Sequence, residues 1–222
     1  MTDAGSALPI VLLSLKVALI GTLLSLPIAL VTALALARGR FWGRSLLNVL
    51  VHLPLVLPPV VTGYLLLRLF GRRGPIGAFL EDTLGLTLAF RWTGAAVAAA
   101  VMGFPLMVRA MRLAIEAVDH ELEEAAASLG APPLAVFWTV TLPLIKPGVI
   151  AGAMFAFITS FDELVVSLFL TGPRLSTLPV QIYNYIEFAS DPTIAAISVL
   201  LIAFTTAVVL LVERVVGFTR FV

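Results

Sequence analysis

The chain has 222 residues, 60% of them hydrophobic and 12% charged, with a mean hydropathy of +1.10. Such values lie far from those of a soluble domain of this length and identify an integral membrane protein. A net charge of +1 leaves no basic stripe for a nucleic-acid partner, and the absence of cysteine excludes disulfides, thiolate metal sites and Cys nucleophiles.

The amino terminus, MTDAGSALPI, lacks a basic start and a small-residue cleavage site, so the first apolar run is read as a retained span. A helix needs roughly 20 apolar residues to cross the hydrocarbon core. Five stretches qualify, near residues 8–37, 46–70, 93–115, 147–171 and 194–216, which predicts an all-α integral membrane protein, a single domain over 1–222 in contact with membrane lipid. Ionisable residues at membrane depth are costly and mark function by default. At 1.5 Å per residue, Lys16 in the first span and Asp162 and Glu163 in the fourth fall roughly 12 to 15 Å below one boundary. An ion pair from Lys16 to Glu163 or Asp162 is therefore expected, in the wall of a translocation path that also includes Ser160. The alternative is that Lys16 snorkels and the acids face an aqueous vestibule without contact.

The second span contains HLPLVLPPVVTGY, with Pro54, Pro58, Pro59 and Gly63 close together. Proline removes a backbone donor and clashes with the preceding turn, so this helix should kink or unwind, which membranes tolerate only against protein or a water-filled cavity. That reasoning predicts span two in the bundle interior, with Pro58 and Pro59 on the pathway; a kink with packing value only is the other reading. His52 lies among apolar residues with no second ligand at metal spacing, so a histidine satisfied within its helix or at an interface is expected, and no metal site. In the third span Gly94, Gly103 and the alanines at 95, 96 and 98–100 form a small-residue face for close packing.

Between spans three and four runs a polar, turn-rich loop over 119–146. Asp119 is placed to cap a short helix whose first turn carries Glu121, Glu123 and Glu124 near the positive end of the helix dipole. Gly130 should end that helix, and Pro132 and Pro133 should start a second one over Leu134 to Val140. Ala125, Ala126, Leu129, Val136 and Phe137 give the hairpin an apolar side and Glu121 and Glu124 give it charge, a knob that fits a cleft in another protein. A membrane-surface helix is the weaker alternative, because the polar face is acidic rather than basic.

Positive charge sets the expected orientation. Arg38, Arg40, Arg44, Arg109, Arg112, Lys146, Arg214 and Arg220 lie on one side; Arg68, Arg72, Arg73, Arg91 and Arg174 lie on the other, among Glu81, Asp82, Glu187 and Asp191. The bias predicts an external amino terminus, a cytoplasmic carboxyl terminus and a cytoplasmic hairpin. Neither lysine, Lys16 nor Lys146, lies in a phosphate-binding loop, so no cofactor is expected on this chain.

The spacing Glu124-Ala125-Ala126, three residues, Gly130, nine residues, then Val140 to Pro143 resembles the cytoplasmic signature loop of ABC importer permeases. Residues 11 to 150 resemble the molybdate-type permease through SLKVALIGTLLSLPIAL, HLPLVLPPVVTGYLLL, FGRRGPIG and AVMGFPLMVRAMRLAIEAVD. The last third departs from that type: Asp162 stands where the oxyanion type has Gly, and TGPRLSTLPVQIYNYIEF is similar to polyamine-type permeases. The resemblance implies a type I importer permease in the bacterial inner membrane, paired with a second copy, two ATPase subunits that supply ATP and Mg chemistry, and an external binding protein. Carried over by residue, it makes Glu124, Ala125, Ala126, Gly130, Leu142 and Pro143 the ATPase-coupling positions. The substrate implied is a molybdate or tungstate oxyanion, with a polyamine as the alternative. An intramembrane enzyme would need a nucleophile and base that the spans do not offer. A secondary transporter would show inverted repeats and have no use for the loop.

Overall fold

The fold was analysed in a computed structural model that describes residues 4–172, 177–188, 199, 202–207, 209, 210 and 214. Most of the predicted fifth span at 194–216, with Arg174, Asp191 and Arg220, lies outside the described residues.

Helix α1, Ala4–Arg38, matches the first predicted span. Helix α5, Trp92–Glu116, matches the third and is the centre of the bundle, packed along α1 on one side and α8, Leu142–Phe161, on the other. Its alanines and glycines make this possible. A Cβ on Gly21 of α1 would stand 2.8 Å from the carbonyl of Ala96, and one on Gly103 would stand 2.9 Å from that of Ala156. Without a hydrophobic force between helices in lipid, such close approach is what brings backbones into dispersion contact. Leu36, Met107, Met111, Ile115 and Ile145 fill the seam near one end, all of them fully buried.

The second predicted span is broken in two. Helix α2, Arg44–Val56, and α3, Pro59–Phe70, meet at a bend of 115° measured to the end of α4, Pro75–Leu84. A residue before a proline is biased away from the helical region, and at the break both such residues are extended: Leu57 has ψ 144° and Pro58 has ψ 134°. The break was expected; its position was not. Pro58 and Pro59 are exposed on the single chain, as are Leu53, Leu55, Val56 and Val60, so span two flanks the α1–α5–α8 core instead of filling it. The small faces of α5 close on α1 and α8, and α2 packs on the side of that core through Val51, beside an apolar cleft lined by Gly21, Leu50, Pro54 and Phe104.

The fourth predicted span is also redrawn. A helical run begins at Pro133 with α7, Pro133–Val136, passes through a π turn at Phe137–Thr141 and continues as α8 to Phe161. It therefore starts inside the hairpin and stops ten residues before the expected 171. Pro143 has no N–H to offer the carbonyl of Thr139, and the wider π turn is the local adjustment. Beyond Phe161, Asp162 ends α8, and the Glu163 carboxylate accepts the Val166 N–H at 2.9 Å to cap α9, Val165–Leu170. Among the described residues three helices are long and apolar enough to cross a membrane, or four with the bent pair.

Candidate functional site

The hairpin forms as its sequence dictates. The Asp119 carboxylate accepts the Glu121 N–H at 3.0 Å and starts α6, His120–Ser128. The helix ends with the Leu129, Gly130 and Ala131 N–H groups returning to Ala125, Ala127 and Ala126, and Gly130 takes φ 89°, a left-handed conformation that costs other residues about 1–2 kcal/mol. Pro132 and Pro133 then start α7.

What the hairpin presents differs from the expected apolar side. Val136 is buried in the chain and Phe137 half-buried. The outward apolar groups are Leu129 at 90% exposure, Leu134 at 70%, Trp138 at 59% and Leu122 at 49%, with Ala125, Glu121 and Glu124 also exposed. Leu142 lies partly inside and Pro143 faces out, both in the first turn of α8.

Glu123 behaves unlike its neighbours and was not singled out from sequence. It is the one α6 side chain that is buried, 11% exposed, and Arg38 at the end of α1 reaches it with Nη1 at 2.7 Å from Oε1 and 2.5 Å from Oε2. Thr141, the last residue of the π turn, donates its hydroxyl to Oε1, and His120 Nδ1 lies 3.6 Å from Oε2. Burial pushes the Glu123 carboxyl up, but the hydrogen bonds from Arg38 and Thr141 and the charge of Arg38 more than offset it, so the group is held below the ordinary 4.5. A carboxyl lowered by folding adds stability that is fully present above its unfolded value and is lost as the pH falls through the folded one. Thermal unfolding in detergent should therefore show an acid-side loss below about pH 4.5 that shrinks in Glu123→Gln. No local pattern separates Glu123 from Glu124, because the deciding partner lies 85 residues earlier.

The pathway residues expected from sequence are not gathered into one site. Lys16 lies over the Trp92 ring, 4.1 Å from its centroid, and makes no ion pair with Asp162 or Glu163. Lys16 is exposed and its ammonium is taken up by Trp92, the first residue of α5, although Ala18 packs on Phe161 and so puts Asp162 at a similar level. Ser160 is buried and its hydroxyl donates to the Ala99 carbonyl at 2.8 Å, a bond that ties α8 to α5. Asp162 is exposed beyond the end of α8. His52 is satisfied within its own helix, Nδ1 at 2.8 Å from the Asn48 carbonyl, as expected.

A chain of this kind, an apolar helical bundle with a capped, outward knob carrying the Glu-Ala-Ala and Gly spacing, can be placed among known proteins. Residues 25–219 match the model of the binding-protein-dependent transport system inner membrane component. The chain belongs to that family. It is a multi-pass inner membrane protein and a transport subunit. It is 51% identical over 180 residues to the molybdenum transport system permease protein ModB of Escherichia coli strain K12, covering 80% of this chain and 79% of that protein. It is 34% identical over 191 residues to the putrescine transport system permease protein PotI of the same strain, covering 86% of this chain and 66% of that one. Both resemblances stand, and the molybdenum one is the stronger. The fold is similar to that of a solved amino acid ABC transporter with histidines, at a TM-score of 0.62 and 19% identity over 96% of this chain and 99% of that one. This likeness concerns the fold alone.

Proposed function

We propose that the chain is the membrane subunit of an ATP-driven importer that takes up molybdate or tungstate delivered by an external binding protein. The observation that carries the substrate is the 51% identity to a molybdenum permease across 80% of the chain. The outward hairpin supports an ATPase partner: Leu129, Leu134 and Trp138 are apolar groups that a soluble cleft would bury, and Glu124 and Gly130 set the charge and turn beside them. ATP and Mg are bound by that partner and not by this chain. The charge bias of the loops supports a cytoplasmic hairpin and carboxyl terminus with the amino terminus outside.

The broken span supports a second copy. Non-helical backbone at membrane depth needs protein or water against it, and here Leu57, Pro58 and Pro59 lie on the open side of one chain. Two copies meeting there would cover the break and leave a path between them, reached from outside past Lys16 and Asp162. Closure of the ATPase dimer would then swing the hairpins and alternate the path between its two sides.

A polyamine reading rests on Asp162 and Glu163 beside the end of α8, carboxylates that favour a cation, and on the 34% identity to a putrescine permease. The complex with its ATPase and binding protein, in lipid, decides between them. ATPase activity should rise with molybdate or tungstate and stay at its basal level with spermidine or putrescine; the reverse pattern would transfer specificity to the last third of the chain.

A further inference from the structure

Helix α6 is lightly held. Glu121, Leu122, Glu124, Ala125, Ala127 and Ser128 are exposed, and two short links, Ala117 to Asp119 and Leu129 to Pro132, join the helix to α5 and α7. Two end attachments define an axis about which a helix can still roll. Glu123 supplies a third point off that axis, and it reaches two elements at once: Arg38 at the end of α1 and Thr141 where the π turn enters α8. From Arg38 the connections continue. Arg44, the first residue of α2, donates Nε and Nη2 to the Leu36 carbonyl at 3.0 and 2.6 Å, and Arg112 of α5 donates to Asn48 Oδ1 of α2 at 3.2 Å.

We propose that Arg38, Glu123 and Thr141 form a strut that locks the coupling hairpin to the end of α1 and, through Arg44, to the start of the broken span, so that the three move as one body when the ATPase closes. These are positioning residues; none touches substrate. Charge-assisted bonds to one carboxylate suit the task, since they are short, directional and stronger than neutral ones. A hairpin free to roll would absorb the ATPase motion at its links, and hydrolysis would proceed without transport. The strut rests on the docking reading above.

The chain has no native cysteine, so labels can be placed without background. Spin labels at Arg40→Cys and Ala127→Cys report the distance across the strut in the assembled complex, without nucleotide and with ATP and vanadate. The distance should hold within about 2 Å in the wild-type background, the size of an ordinary helix adjustment. In Glu123→Gln and in Arg38→Gln its distribution should broaden, and substrate moved per ATP hydrolysed should fall roughly tenfold or more, inside the usual range of coupling effects. Arg38→Glu combined with Glu123→Arg should regain part of that ratio, which a merely structural loss would not. Where the single variants fail to assemble, Thr141→Val keeps the ion pair and should lower the same ratio by a smaller factor. A wild-type complex whose distance changes by more than about 5 Å, or single variants with an unchanged ratio, would overturn the strut while leaving docking intact. A wild-type chain that captures no ATPase would remove docking and the strut together.

Discussion

Leu129→Asp should abolish capture of the ATPase subunit while leaving the permease folded. Leu129 is 90% exposed on the free chain, directly after α6 and before the left-handed Gly130, so its side chain supports nothing within the fold. Surface changes of that sort alter stability by only about 0.5 kcal/mol. At a docked interface the balance differs. Truncating a central apolar anchor costs about 2 kcal/mol or more, and a carboxylate in its place adds the desolvation of an unpaired charge. Together these exceed a hundredfold in affinity at about 1.4 kcal/mol per tenfold. Glu124→Ala, which removes a rim charge, should weaken capture much less, because exposed ion pairs contribute about 0–1 kcal/mol. Co-purification of the tagged permease with its ATPase measures both, and the thermal unfolding temperature of the permease alone shows that the fold is retained. Wild-type capture by Leu129→Asp would move the docking surface away from the hairpin apex.

The elements that local chemistry controls were legible in the sequence. Asp119 acts on a backbone N–H two residues on, Gly130 and the Pro132-Pro133 pair act through their own backbone, and the structure has the cap, the turn and the helix start where those residues stand. The small-residue face of α5 was legible for the same reason: Gly94 and Gly103 can serve close approach whatever partner arrives. What depended on distant partners was not legible. Depth counted from the outer end of each apolar run sets Asp162 and Glu163 inside a span, although α8 stops at Phe161, and it gives no sign that Lys16 turns to Trp92. Apolar counting also ran spans two and four across their breaks, since hydropathy does not register a change of direction. Glu123 and Glu124 are alike in sequence and opposite in the fold, one buried on Arg38 and one exposed.

Restoring a continuous second span should cost transport without costing the fold. A proline inside a helix is unfavourable by about 3 kcal/mol, so the pair at Pro58 and Pro59 disfavours a straight helix through this point by roughly 6 kcal/mol. The bent form is also held by packing. Leu66 of α3 is buried with Val166 and Leu170 of α9, and a Cβ on Gly63 would meet the Phe169 ring at 2.6 Å, so α3 and α9 are in close contact. Between helices in lipid these are dispersion contacts with no hydrophobic term, so they add to the bend without fixing it on their own. Replacing either proline alone leaves the other member of the pair at the break, so the packing and the remaining proline both keep the bend, and transport should stay near wild type. Pro58→Ala with Pro59→Ala removes both penalties and supplies two N–H donors that a continuous helix uses. With the proline penalty gone and two helical hydrogen bonds gained, the continuous helix competes with the packed bend, which is no longer the single outcome the sequence specifies. Spin labels at Leu50→Cys and Leu65→Cys should show one distance in the single variants and a second, longer one in the double variant. Transport by the double variant should fall by roughly tenfold, the loss expected when about nine-tenths of the chains leave the competent form, while ATPase capture stays intact because the hairpin lies on other elements. A double variant with one distance and full transport would mean that packing on α9 sets the bend and that the prolines only accommodate it.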